Sequence, residues 1–212
     1  MKKQMTFAYV LAALCAAPLL AQAGDNGTVY TQIGTNGIGL GYAKSVAADW
    51  AVRGQLNALP KTTFTGDVGD FGSASQLTAE VTWNSVQLLG DWYPFEGGFR
   101  TSAGLVFNNN KITVNGTGTV NNVANQTVNA EIKMSDSVAP YLGIGYSTRP
   151  AAAKGLGFNF DLGAMFQNPK STLTVSGGAT QADINAQNAK IQDAIDKLKV
   201  MPVIAIGVSY SF

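Results

Sequence analysis

Past residue 23 the chain has no apolar run long enough to cross a bilayer as a helix, yet in segment after segment every second residue is apolar. The last nine residues show the pattern most clearly. Ile204, Ile206, Val208, Tyr210 and Phe212 fall on one face, and Ala205, Gly207, Ser209 and Ser211 on the other, because successive side chains of a strand point to opposite sides. Large apolar groups on one side and small or polar groups on the other suit a wall between lipid and a crowded interior. The same alternation sets Trp50, Val52, Gly54 and Leu56 against Arg53, Gln55 and Asn57, and Val86, Leu88 and Trp92 against Gln87 and Asp91. It sets Phe99, Ala103, Leu105 and Phe107 against Arg100, Ser102 and Asn108. It recurs in Leu156, Phe158, Phe160, Leu162, Ala164 and Phe166, opposite Asn159, Asp161 and Gln167.

A soluble sandwich also alternates, with its polar face in water. Such a face usually carries many Lys and Glu, whereas here it carries Gly, Ser, Asn and isolated charges. Charged residues make up 13% of the chain, about half the usual share. The polar face reads as enclosed. Without a spanning helix, the spanning structure that satisfies every backbone group is a closed β-barrel.

The amino terminus agrees with a membrane destination. Lys2 and Lys3 precede an apolar run from Phe7 to Leu20, and Ala21-Gln22-Ala23 supplies small residues for cleavage, so residues 1–23 read as an export signal and 24–212 as the mature domain. A membrane-spanning helix is the rival reading, but the run falls short of the ~20 residues a span needs. A lipid-anchor site at Cys15 is disfavoured by Leu14, where a small residue is expected. Cleavage leaves about 190 residues, one domain by length, with no cysteine. Losing Lys2 and Lys3 takes the formal net charge from +1 to −1, a balance that offers nucleic acid no attraction.

Link lengths set the topology. Short links join residues 42 to 49, 93 to 98 and 147 to 155, while long polar segments occupy 59–76, 109–137 and 168–202. Bacterial barrels place short turns in the periplasm and long loops outside. Trp50, Trp92 and Tyr146 cluster beside the short links, with Phe212 at the same level, as one rim of an aromatic girdle. An even strand number requires a further ascending strand, placed at 28–35 by the tight-turn signal Asn36-Gly37 before Ile38 to Tyr42. The fold expected is all-β, a single transmembrane antiparallel barrel of eight strands. Reading 170–177 as another barrel strand would reverse the last one.

Two regions leave alternatives open. Leu77, Val81 and Trp83 share a face, but past Ser85 the apolar parity shifts to Val86 and Leu88. Either a bulge near Asn84-Ser85 restores the facing, or the strand leaves the bilayer there, which we favour. Residues 108–130, dense in Asn, Thr, Gly and Val, read as a solvated loop or strand extension, with a receptor-binding tip as the alternative. In 181–199, Ile184, Ile191, Ala194, Ile195 and Leu198 recur at helical spacing, which predicts a short amphipathic helix in the last extracellular loop. Thr180 and Asp183 have capping-box spacing. Its role is packing at the barrel mouth, or else a lid or membrane-surface contact.

Together these features resemble the small bacterial outer-membrane β-barrel proteins of the OmpA/OmpW-like type, over the whole mature chain. The stretch Gly90-Asp91-Trp92-Tyr93-Pro94-Phe95 through Phe99-Arg100 is similar to a strand-turn-strand unit of such proteins. The resemblance implies residence in the Gram-negative outer membrane, contact with its lipid, and reading of Val208, Tyr210 and Phe212 by the barrel-assembly machinery during biogenesis.

Chemistry is sparse. There is no histidine, which removes the usual base of a serine or carboxylate hydrolase and the commonest metal ligand. No enzyme activity and no cofactor are expected. The informative ionisable residues are Arg53, Asp91, Arg100 and Asp161, all on inward faces by the phases above. An eight-stranded barrel is just wide enough for side chains, so they form either a salt-bridged plug or the lining of a narrow conduit with Gln55, Asn57, Gln87, Asn159 and Gln167. The first reading makes the protein a structural or surface-interaction barrel, the second a small porin-like channel or transporter for minor solutes.

Overall fold

A computed structural model describes residues 27–66, 77–95, 97–120, 123–134, 137–147, 154–177 and 180–212. The expected export signal, 1–23, lies outside these residues. Alternating sequence becomes strand at β1 (Gly27–Gly34), β2 (Gly37–Ala47), β3 (Trp50–Ala58), β4 (Thr62–Gly66), β5 (Leu77–Thr82), β6 (Asn84–Trp92) and β7 (Phe99–Asn108). It continues through β8 (Lys111–Val120), β9 (Val123–Lys133), β10 (Val138–Ser147), β11 (Gly155–Phe166), β12 (Lys170–Ser176) and β13 (Val200–Ser211). Eight of these close an antiparallel barrel in the order β1-β13-β11-β10-β7-β6-β3-β2. The ladder closes where β1 pairs with β13, Thr28 opposite Ser211 and Gly34 opposite Ala205. A closed ladder has no free edge to satisfy.

The tight hairpin predicted at Asn36-Gly37 joins β1 to β2, and Gly37 has φ +94, a backbone conformation that suits glycine. β2 is longer than the 38–42 read from sequence, so the short link after it shrinks to Ala48-Asp49. Facing follows the alternation. Ile204, Ile206, Val208 and Tyr210 are exposed on the outer wall, while Ala205, Ser209 and Ser211 are buried within.

The described residues of the long segments are largely strand and helix. β4, β5, β8, β9 and β12 form a second sheet in the order β12-β9-β8-β5-β4. Each follows or precedes a barrel strand in sequence, and the order repeats that of their barrel neighbours β11, β10, β7, β6 and β3. Five staves of the barrel therefore continue past its rim as a half-wall. Of the solvated-loop and strand-extension readings of 108–130, the described residues take the second. β12 occupies the 170–177 segment, but because it belongs to the half-wall it does not reverse β13.

The parity shift at Ser85 now has its reason. Ser85 pairs with Asn108 below the rim and Thr82 with Lys111 above it, and Asn109 N–H donates to Asn84 O between them at 3.0 Å. The register is unbroken, so no bulge lies there; polarity inverts instead. Below the rim the outer face carries Val86, Leu88, Leu105 and Phe107. Above it the same face carries Glu80, Thr82, Lys111 and Thr113, while Val81, Ile112 and Val114 continue the lumen face. The registers of β9 on β8 and of β10 on β7 differ by one residue, and Ser137 has φ +73, so the facing of β9 is reversed relative to β10.

The predicted helix is α1 (Gln181–Ile195), followed by a 3-10 turn, Asp196–Leu198. Thr180 caps it: its hydroxyl accepts from Asp183 N–H at 3.3 Å and donates to Asp183 Oδ2 at 2.7 Å. α1 packs on β12 at the edge of the half-wall, where Ser171 N–H donates to Gln192 Oε1 at 3.0 Å, giving an edge backbone donor a partner. Lys199 and then Gln192 hold the exposed Asp196 carboxyl below the usual carboxylate range. Thr180→Ala is expected to weaken α1 by about 1 kcal/mol, read as faster amide exchange at Asp183 and Ile184 with unchanged exchange in β11 and β13.

Candidate functional site

The lumen brings the four predicted charges together. Arg53 projects from β3, Asp91 from β6, Arg100 from β7 and Asp161 from β11, and all four are buried, the most exposed at 3%. Arg53 Nε lies 3.0 Å from Asp91 Oδ2 and Arg53 Nη1 3.0 Å from Asp161 Oδ2. Arg100 Nη1 lies 2.9 Å from Asp161 Oδ1 and 3.4 Å from Asp91 Oδ1. Each cation thus meets both anions. β3 and β11 are four strands apart in either direction round the ring, so the Arg53–Asp161 pair bridges the full diameter of the barrel.

Further side chains complete the cluster. Ser102 donates to Asp91 Oδ1 at 2.6 Å and accepts from Arg100 Nη1 at 2.9 Å. Arg100 Nε donates to Ser147 Oγ at 3.1 Å. Tyr30 places its ring 5.8 Å below the Arg53 guanidinium carbon and donates its hydroxyl to Gln55 Oε1 at 2.8 Å. Sequence reading put Ser102 on the Arg100 face through its two-residue spacing, but did not assign it to the cluster. Tyr30 carried no such signal, because its reach across to Arg53 depends on strand pairing.

Toward the long-loop end the lumen is filled in two ways. On one side lies an apolar cluster of Leu89, Val106, Ala139, Tyr141, Met165 and Val203. On the other lie amides: Gln55 Nε2 donates to Asn57 Oδ1 and Asn57 Nδ2 to Ser85 Oγ at 3.2 Å, while Asn159, two residues nearer the short-turn end than Asp161 on β11, donates from Nδ2 to Gln32 Oε1 at 3.1 Å. Gln55, Asn57, Gln87, Asn159 and Gln167 are all buried, as their inward phase predicts. The apolar half was missed from sequence, since Leu89 and Met165 are single apolar residues on otherwise polar faces. Toward the short-turn end a cavity of about 20 Å³ lies beside Arg53, Asp91 and Arg100, lined also by Tyr93, Ser147 and Ser209. It has room for about one water molecule.

At the short-turn rim Trp50 and Trp92 face outward and stack at 6.2 Å, with Tyr146 also exposed. Gly27 and Phe212 exchange backbone hydrogen bonds of 3.0 and 3.3 Å there. The three predicted girdle residues and the chain end thus share one rim.

No protein-family model matches the chain, and no curated protein matches it. Solved structures do, among them two from one organism. CarO of Acinetobacter baumannii is 24% identical, with a TM-score of 0.56, over 90% of this chain and 99% of its own. CarO2 of the same organism is 19% identical, with a TM-score of 0.58, over 88% of this chain and 97% of its own. At these identities the likeness is one of fold, and it spans both chains almost completely. The chain thus shares with both CarO structures the fold of a closed eight-stranded antiparallel barrel.

Proposed function

We propose that the protein is a non-enzymatic outer-membrane barrel with a structural or surface-interaction role, whose lumen is closed by its own side chains. The observation that carries this reading is the Arg53–Asp161 pair across the diameter, locked on both sides by Asp91 and Arg100. A conduit needs a continuous open polar path; here the lumen beyond the charges is filled on one side by the apolar cluster and on the other by buried amides bonded to one another. The half-wall is the surface on offer to the exterior. In the same reading the short turns face the periplasm, Trp50, Trp92 and Tyr146 sit in the interfacial layer, residues 1–23 direct export, and Val208, Tyr210 and Phe212 serve the assembly machinery.

Single-channel recording in planar bilayers tests the closed lumen. Wild type is expected to show no conductance steps, while Arg53→Ala opens a leak. Steady wild-type channels of defined size would establish instead the alternative, a porin-like channel or transporter for minor solutes.

A further inference from the structure

The outer face changes chemistry in the same order at two places where the barrel passes into the half-wall. Phe107, Asn109 and Lys111 lead from β7 to β8, and Phe166, Asn168 and Lys170 lead from β11 to β12. Each set takes every second residue and so keeps one face. The two phenyl rings are exposed on the barrel exterior. Pairing then aligns the lysines, Lys111 opposite Lys133 and Lys133 opposite Lys170, on strands about 4.8 Å apart.

Three ammonium groups in one cross-strand row repel one another. Glu131 lies 3.8 Å from Lys111 Nζ and 3.4 Å from Lys133 Nζ, so those two lysines share one carboxylate. Lys61 stands at the third barrel-to-half-wall passage that follows an ascending strand, between β3 and β4, with Glu80 at 3.4 Å. Between the phenyl and lysine levels runs a crevice of about 430 Å³, lined by Leu56, Val86 and Phe107 together with Asn84, Asn109 and Ser137.

Apolar ring, amide, then ammonium is the order in which a lipid leaflet presents acyl chain, carbonyl or hydroxyl, and phosphate. The spacing fits as well. Four residues along a strand tilted by about 45° rise about 9 Å along the membrane normal, enough to cross a polar layer about 5–8 Å deep. The outer face continues the lipid-facing wall of the barrel, and this inference rests on the reading that the wall lies in a bilayer.

We propose that the row Lys111–Lys133–Lys170, with the Asn84–Asn109 crevice beneath it, binds phosphate-bearing head groups of net negative charge in the lipid leaflet on the long-loop side. The attraction of each lysine for an anionic surface is short-ranged and screened by salt. The ligand is lipid rather than free phosphate because the cations sit above a continuous apolar face that only an acyl chain occupies.

The test uses the full mature chain refolded in phosphatidylcholine vesicles, with spin-labelled phosphatidylglycerol and spin-labelled phosphatidylcholine as probes of the motionally restricted lipid shell. Wild type is expected to prefer phosphatidylglycerol by about threefold or more at low salt. Lys111→Gln/Lys133→Gln/Lys170→Gln should bring that ratio close to one, and Glu131→Gln, which relieves two of the lysines, should raise it. Heat-modifiable gel migration confirms that each variant is folded. Restricted lipid with no preference in wild type overturns this proposal alone. No restricted lipid at all overturns the membrane reading beneath it. If inorganic phosphate abolishes the preference where equal ionic strength of chloride does not, the row is a free-anion site and the lipid assignment falls.

Discussion

Asp161→Ala is expected to destabilise the folded barrel by about 3–5 kcal/mol, because it leaves buried positive charge without its partner. Asp161 accepts from Arg53 Nη1 and Nη2 at 3.0 and 3.2 Å and from Arg100 Nη1 and Nη2 at 2.9 and 3.1 Å. After the substitution both guanidinium groups must share Asp91, and the lumen centre carries one net positive charge. Equilibrium unfolding in urea from lipid vesicles, followed by tryptophan fluorescence, measures the loss. Charge balance rather than volume sets the cost, so Arg100→Met/Asp161→Ala, which leaves the Arg53–Asp91 pair intact, should be more stable than Asp161→Ala alone. If the second substitution only adds to the damage, the cluster is held by packing and the electrostatic account fails.

That cluster was legible in the sequence because two-residue alternation assigns an inward face to each of its four members without knowledge of pairing. The same reasoning placed Trp50, Trp92 and Tyr146 at one rim, since short links bring their strands together there. The half-wall was not legible. β8 and β9 are written in Asn, Thr and Gly as well as Val, so propensity alone did not separate strand from loop. They are held by the unbroken Ser85–Asn108 and Thr82–Lys111 ladder rising from the barrel below. Polarity inversion added to the difficulty, because a strand whose outer face turns from apolar to polar at the rim exchanges its two faces and looks like a register error at Ser85. The apolar cluster in the lumen escaped for a related reason. Leu89 and Met165 become a core only when four or more strands deliver them to one place.

Gly41→Val is expected to cost about 3 kcal/mol or more, at the upper end of what overpacking usually does. Gly41 is opposite Tyr30 in the β1–β2 ladder, and a Cβ there would lie 2.6 Å from Tyr30 Cε1 and closer still to its Cζ and hydroxyl. The ring cannot swing away freely, since its hydroxyl is bonded to Gln55 and its face lies under Arg53. Moving it would strip a cation–π contact from the charge cluster as well as strain the wall. Gly54→Ala is the matched control: on the outer face its Cβ would meet only Leu88 Cδ2, at 3.8 Å, and little change is expected. Tyr30→Ala should partly rescue Gly41→Val by vacating the contested space, so the double variant should unfold at higher urea than Gly41→Val alone. A double variant no better than the single would mean that Gly41 is required by the backbone and not by the ring of Tyr30.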